Sequence, residues 1–462
     1  MKDTASEYPI IVAGAGPAGF GAALSAARSG GKTLLLERNT CVGGLASSGL
    51  LGFWGPLDNA ARNKCDWERF RLDREGKEYT GRLKIGQRIL GGIPAEFISR
   101  LEKLGGAFVP KLGFTETDVE TTKFLMEEML LEAGVKIIYQ AQVVSASYEK
   151  GFPVLTVALK EGLRKFTAKT VIDATGDGDV AFQLGAEWRQ GRDSDGKCQG
   201  VTLVFRIGNV KTDYLDFLPD TELSKNVSAA AEKASKSGEI SFNLKGLGCL
   251  SRDPSFNGNF TVNQQHTFDI DGTKSEELTK ALINGRRQIR ELVSFYRKHV
   301  PGCEDCYLIG TGFQLGVRET RRIIGDYVIT GEDVTGGRKF EDGICRNANF
   351  LDIHLSKDGD KKADSKKTGT WYEEAKEVQP GDWQDLPYRA LLPRGLENIL
   401  VAGRCISGTH EAMSSYRLMP TCMGMGEAAG VAAALSLLYN TSPRKIDVKE
   451  IQSVLRKHEA II

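Results

Sequence analysis

The apolar run Ile10 to Ala13 is short, continuous and followed at once by glycines, the pattern of a buried strand that ends in a tight turn. Pro17 to Ser29, rich in alanine and backed by Gly30 and Gly31, reads as the next helix, and "KTLLLE", ending at Glu37, reads as a second strand. Asp118 to Ala133 has the composition of a helix, with Thr117 and Glu120 placed to form a capping box and Gly134 as its stop. "VKIIYQAQVV" then returns to a strand pattern. Gln142 to Glu149, Pro153 to Lys160 and Leu163 to Thr167 alternate apolar with polar residues and are parted by Gly151 and Gly162, which predicts a small antiparallel meander. "AKTVIDATGDGDVA", Ala168 to Ala181, is an apolar strand that breaks into an Asp/Gly turn. "GVTLVFRIGNV" is strand-like, Ser275 to His299 helix-like, and Ile399 to Ala402 strand-like again. After Pro420, which suits a first helical turn, a helix runs from Thr421 to Leu438; its Gly424, Gly426 and Gly430 allow close packing against the sheet.

A chain of 462 residues, 41% of them hydrophobic, can bury at least one large core and suggests two or three lobes. Lys and Arg total 61 against 60 for Asp and Glu, so no broad positive field gathers nucleic acid or anionic lipid. "MKDTASEYPI" does not have the charge pattern of a secretory signal. The most apolar helical stretch, Gly430 to Leu438, is shorter than the roughly 20 residues that cross a bilayer, and no membrane contact is expected. Nine scattered cysteines fit a reducing compartment, and the expectation is a soluble, cytoplasmic protein, with a homo-oligomer left open. Cys303 and Cys306 sit at CxxC spacing without the partners of a closed zinc site; they read as loop cysteines, and no metal is expected. No internal repeat is visible, and Ser356 to Gly369 reads as a charged, solvated loop.

The chemistry starts at "GAGPAG". Gly14, Gly16 and Gly19 form G-x-G-x-x-G between a strand and a helix, with an acid, Glu37, at the end of the next strand. Gly14 permits the turn, Gly16 lets backbone approach a pyrophosphate, Gly19 lets helix and strand pack closely, and Pro17 and Ala18 open a helix whose N-terminus supplies amide donors. Glu37 falls where a carboxylate accepts hydrogen bonds from an adenosine ribose, and its charge disfavours the extra phosphate of NADP.

"GAGPAG", "LLLER" and "CVGGLASSG" together resemble the N-terminal signature of FAD-dependent oxidoreductases of the two-dinucleotide-binding-domain superfamily, which includes glutathione reductase and fumarate reductase flavoproteins. The resemblance implies FAD rather than NAD, with Arg38 and the Gly43–Gly44 pair following the ribose acid; without Cβ atoms these glycines let their loop pass close to the ribityl and pyrophosphate portion. It also implies backbone contacts from Val143 to adenine, packing of Ala174, Thr175 and Gly176 beside FAD, and contacts from Gly403 and Arg404 to the ribityl chain and phosphate. The helix that starts near Thr421 would aim its N-terminus at the flavin N1/C2 edge. No residue is singled out for covalent attachment, so the FAD is expected to be non-covalent. The implied fold is α/β: a Rossmann-like FAD-binding domain with a parallel sheet and a crossover meander (residues 1–185 and 386–462), plus an inserted α+β substrate domain (186–385).

"GVRETRRIIGDYVIT", "LDIHLSKDG", "LPYRALLP" and "VAGRCISGTHEAMSSYRLMPTCM" resemble one branch of these enzymes, over most of the chain and most vaguely from about Asp195 to Pro301. The cysteine pair that disulfide reductases carry just after Gly-Gly is absent, as are a second glycine fingerprint and the aromatic motif associated with prenyl-lipid reductases. Among the candidates for chemistry, His410 suits proton transfer and Arg417 suits orienting a substrate or supporting charge beside the flavin. The alternative for His410 is a hydrogen bond that fixes a loop. Arg318, His354 and Tyr388 are further pocket candidates for a small-molecule substrate; the arginines of "RETRR" have salt bridges with Glu319 or Asp326 as their plainer use. Two other readings stay open at this level: a flavin-containing RNA-modification or redox-sensing protein, and an NAD-dependent dehydrogenase using the first glycine turn directly.

Overall fold

In chain order the elements that position the site are β1 (Ile10–Ala13), α1 (Pro17–Arg28), β2 (Thr33–Leu36), α2 (Gly92–Lys103), α3 (Val119–Glu132), β3 (Lys136–Ile138), β4 (Thr170–Asp173), α4 (Ser275–His299), β5 (Ile399–Val401), α5 (His410–Tyr416) and α6 (Met419–Leu438). The computed structural model describes residues 7–58, 87–109, 114–213, 217, 221–354 and 382–462, so the charged loop expected at Ser356 to Gly369 lies outside the described residues.

Five strands form a parallel sheet in the order β5-β4-β1-β2-β3, with Ile10 level with both Thr170 and Thr33. Every residue of β1, β2, β4 and β5 is buried, which is why these strands are continuous apolar runs rather than alternating ones: helices and loops cover both faces. β3 closes the edge and leads into the meander, whose strands Gln142–Glu149, Phe152–Leu159 and Gly162–Thr167 pair antiparallel as read from the sequence.

α6 lies along α1, and the small residues of both make the contact possible. A Cβ on Gly426 would stand 2.0 Å from the Ala18 carbonyl oxygen, one on Gly430 2.2 Å from that of Ala22, and one on Gly21 2.3 Å from that of Met423. These glycines therefore serve a helix–helix seam, where the sequence reading had them meeting the sheet. Ser25 Oγ crosses the seam and donates to the Glu427 carbonyl at 2.7 Å. α6 is also longer than its apolar tail suggested: its 20 residues are long and apolar enough to cross a membrane by length and composition alone, yet the helix is buried almost throughout.

The cap of α3 differs from the expected box. Asp118 is the N-cap, its carboxylate accepting from the N–H groups of Glu120 (3.2 Å) and Thr121 (3.3 Å), because Thr117 still belongs to the strand Thr115–Thr117. Gly134, at φ +77°, ends the helix as predicted; its N–H and that of Val135 return to Leu131 and Leu130.

A second apolar cluster is drawn from residues 201–315. It fills the space between α4 and a four-stranded antiparallel sheet ordered Cys249–Arg252, Phe260–Asn263, Phe205–Gly208, Tyr307–Thr311. Cys303 and Cys306 lie in the turn between α4 and the strand Tyr307–Thr311, as read from the sequence, and are buried in this cluster as free thiols. Ile323, Ile329, Val334, Ile344 and Leu386, later in the chain, pack instead with the parallel sheet.

Candidate active site

At the carboxyl ends of the parallel strands, turns from five stretches of chain surround a cavity of about 550 Å³, a size typical of ligand sites. The first is the glycine turn after β1. Gly14 has φ +92°, and a Cβ on it would lie 2.6 Å from the Ala174 carbonyl oxygen, so the turn is pressed against the end of β4. Gly16 caps α1 and lines the cavity, and a Cβ there would meet nothing within 4 Å, leaving its backbone open to a ligand. Gly19 faces inward: its Cβ would fall 1.8 Å from the Gly14 carbonyl oxygen. Pro17 and Ala18, in the first turn of α1, complete this wall.

Past β2, the Glu37 carboxylate is fixed by two backbone donors, Ala15 N–H (2.7 Å) and Asn39 N–H (2.8 Å), and lines the cavity with Arg38. The loop that follows turns through Gly43 (φ +103°) and Gly44 (φ +53°). Gly44 lies against the glycine turn, its would-be Cβ 3.0 Å from Gly16 Cα, and reaches the cavity; Gly43 sits behind it, with its N–H on the Ala15 carbonyl. Val143 lines the cavity from the start of the meander.

Beyond β4, Ala174, Thr175 and Gly176 line the cavity over Asp173. Asp173 is buried and accepts from the Thr175 N–H and hydroxyl and from the Ala181 N–H; burial pushes its carboxyl up to about 6 despite these donors. After β5, Gly403 (φ +99°) and Arg404 approach the same turn, and Arg404 Nη2 donates to Asp177 at 2.5 Å. Gly176 turns at φ +78°, a conformation that favours glycine, and packs under the Arg404 guanidinium, which a Cβ would displace. Glu37 follows β2 and Gly403 follows β5, three strand spacings apart in the sheet order, or roughly 14 Å at the usual strand separation. A dinucleotide laid across the strand ends spans such a distance.

The first turn of α6 closes the cavity through Leu418, Met419 and Cys422. Thr421 does not line it, because its hydroxyl turns inward to Asn349 Nδ2 at 3.2 Å. The cavity's polar wall carries Arg417, Arg318, Asp352 and His354, with Asn263, Gln314, Phe53 and Phe350 among the other lining residues. Arg417 Nη2 donates to Asp352 Oδ2 at 2.8 Å, and Asp352 Oδ1 is 3.2 Å from His354 Nε2. Arg318 Nη1 donates to the Gly200 carbonyl and to Thr202 Oγ1, each at 2.7 Å. Burial works to raise the Asp352 carboxyl, but His354, Arg417 and Arg318 together hold it well below its usual range.

His410 and Tyr388 stand away from the cavity wall. His410 opens α5 and is buried with its Nδ1 2.8 Å from Glu319 Oε2, in a network where Glu319 also pairs with Arg322. It thus takes the loop-fixing role rather than a place beside a ligand. Arg322 donates further to the Gly408 and Gly191 carbonyls, and Arg321 pairs with Asp179. Tyr388 is buried in the main core with its hydroxyl on the Pro443 carbonyl at 2.9 Å, so it braces the C-terminal segment instead of a substrate. Sequence reasoning passed over Asp352, Asn263 and Gln314; Asp352 stood in the quoted stretch "LDIHL", two residues before His354. Among the described residues no group of three or more His, Cys, Asp or Glu side chains is arranged to hold a metal.

The residues present suit FAD: an open glycine cradle at Gly16, a carboxylate held at the end of β2, and a helix N-terminus and arginine farther along the strand ends. Comparison with curated proteins finds no match. Among solved structures, the chain is similar to a geranylgeranyl bacteriochlorophyll reductase-like protein from Thermoplasma acidophilum, at 13% identity and TM-score 0.44 over 97% of this chain and 83% of that one. It is also similar to a flavoprotein/dehydrogenase from Cytophaga hutchinsonii, at 12% identity and TM-score 0.42 over 96% and 81% of the two chains. Residues 9–455 match the model of the FAD dependent oxidoreductase family, and the chain belongs to that family of enzymes.

Proposed function

We propose that this enzyme binds FAD non-covalently and exchanges hydride between it and an organic small molecule held against Arg417, Arg318 and the Asp352–His354 pair. The observation that carries the reading is that one cavity is lined both by the dinucleotide signature, Gly14, Gly16 and Glu37, and by this polar wall. Bound FAD supplies a two-electron acceptor or donor, the part of the chemistry that side chains cannot provide.

The chain's own residues do the rest. Glu37, already oriented by two backbone donors, accepts from the adenosine ribose hydroxyls. The N-terminus of α1, unobstructed at Gly16, offers amide N–H groups to the pyrophosphate. Arg404, braced by Asp177, adds positive charge on the same side. The first turn of α6 places helix-terminal N–H groups at the cavity, where they favour negative charge on a nearby ring edge. Arg417 is held at its guanidinium by Asp352 and orients an anionic or hydroxylated group of the substrate.

The test is direct. Heat-released chromophore from the purified protein is expected to run as FAD, and anaerobic incubation with alcohols, amines and their oxidised counterparts is expected to bleach or restore the flavin absorbance. Protein that folds but carries no flavin, or whose flavin stays bound to the chain after denaturation, overturns the corresponding half of the proposal.

A further inference from the structure

The polar wall contains a chain of contacts with a countable number of protons. His266 Nδ1 is 2.9 Å from the Gln264 carbonyl oxygen, His266 Nε2 is 3.0 Å from His354 Nδ1, and His354 Nε2 is 3.2 Å from Asp352 Oδ1. Both ends of this chain are acceptors, a backbone carbonyl and a carboxylate. Three contacts therefore need three protons, and two neutral imidazoles bring only two.

The fixed Gln264 carbonyl places the first. His266 keeps its Nδ1 proton for that carbonyl, so its Nε2 is an acceptor, and the single proton of a neutral His354 is left with two acceptors to serve, His266 Nε2 and the Asp352 carboxylate. Whichever it serves, the other contact is left without a hydrogen. We propose that Asp352, His354 and His266 form a one-proton sink at the cavity wall, left one proton short in the resting enzyme and filled by the proton that a substrate alcohol or amine loses as its hydride departs.

The step balances. The C–H bond gives hydrogen and two electrons to the flavin as hydride; the O–H or N–H proton passes to the Asp352 carboxylate and its His354 partner, whose ring ends doubly protonated, and the substrate leaves as a carbonyl or imine. The filled state makes all three hydrogen bonds and sets an imidazolium beside a carboxylate, a charge-assisted contact that offsets part of the cost of a second positive charge near Arg318 and Arg417. In the reverse direction the same proton is returned. The charged groups that face the pair are Asp352, Arg318 and Arg417. Burial and Arg318 together outweigh Asp352 and keep His354 below its ordinary value, and burial pushes His266 down to about 2. Both effects favour the unfilled state at neutral pH. This inference rests on the flavin reading of the cavity and assigns the proton role there to Asp352 and His354.

Histidine-selective nitrogen NMR of the flavin-bearing enzyme, between about pH 5 and 9, reads the proton count without a substrate. Wild type is expected to take up one proton shared by His354 and His266, with a midpoint below the ordinary 6.5, and to show His354 doubly protonated only on the acid side. Asp352→Asn removes the attraction and should lower that midpoint by half a unit or more; His354→Gln should abolish the uptake and leave His266 neutral. With a substrate in hand, the acid limb of kcat/KM should follow the same midpoint and the same Asp352→Asn shift. Two rings that titrate independently, a third proton held throughout, or an unmoved midpoint in Asp352→Asn each overturn the sink. Asp352→Asn and wild type suffice if His354→Gln does not fold. A chain without flavin overturns the reading beneath it, whereas a flavin-bearing chain with independent histidines overturns the sink alone.

Discussion

Gly16 and Gly19 belong to one motif and answer to different forces. A side chain at Gly16 would enter open space in the cavity, whereas one at Gly19 would strike the Gly14 carbonyl oxygen at 1.8 Å. Gly16→Val is therefore expected to fold and to bind FAD at least tenfold more weakly, a loss of about 1.4 kcal/mol, checked by flavin titration alongside circular dichroism. Full flavin occupancy in a folded Gly16→Val protein would show that the phosphates do not pass this residue. The placement of Gly14, Gly16 and Glu37 at one cavity was legible because strand, turn, helix and acid follow one another in the sequence. Asp352 and His266 were not, since their meaning comes from contacts across distant parts of the chain: His266 meets His354 across 88 residues. His410 misled for the mirror-image reason, the stretches on either side of it, Gly403–Arg404 and Arg417–Met419, lining the cavity while its own ring turned to Glu319.

Among the elements, α4 could be read to its end residues, as could the meander to within one, because their periods are long or their glycines mark each turn. The strands Cys249–Arg252 and Phe260–Asn263 were invisible: four residues of mixed polarity carry too little pattern, and their pairing with each other, and of Phe260–Asn263 with Phe205–Gly208, creates them. The contact between α6 and α2 was equally hidden. Glu427 is buried on α6, accepts the Ile93 N–H at the start of α2 at 3.0 Å, and burial pushes its carboxyl up to about 8. In the folded chain it keeps its proton from the ordinary 4.5 to about 8, while the unfolded chain has released it, so stability falls as pH rises through that window and levels off above it. Glu427→Gln keeps the acceptor and cannot ionise. Its unfolding free energy from chemical denaturation should lose this decline and exceed that of wild type at pH 8 by an amount on the order of a few kcal/mol. An unchanged pH slope would mean that the carboxyl is not protonated in the core.

For the whole molecule, the α/β architecture and the FAD assignment were accessible from the two ends of the chain, where the strands of the parallel sheet and their glycine turns lie. The middle was not, because its second apolar cluster assembles from short strands and α4 with no motif to announce it. The cavity is lined from both clusters' segments, Thr202 and Val317 on one side and Gly16 and Gly403 on the other. A ligand filling it ties them together. FAD added to flavin-free protein at a hundred times its Kd should raise unfolding free energy by about 2.7 kcal/mol, read as an upward shift in Tm that grows with FAD concentration. A Tm indifferent to FAD would mean that the folded state does not bind it.

The seam of α1 and α6 also sets a timetable for biosynthesis. α1 begins at residue 17 and its partner ends at residue 438, so the glycine-smoothed side of the first helix emerges from the ribosome hundreds of residues before anything arrives to cover it. Until residue 399 is made, the nascent chain has four of its five parallel strands, and until residue 438 it has no finished cradle. Loading with flavin is thereby deferred until α6 has been made, and a message cut short before β5 is expected to yield a colourless product exposed to quality control.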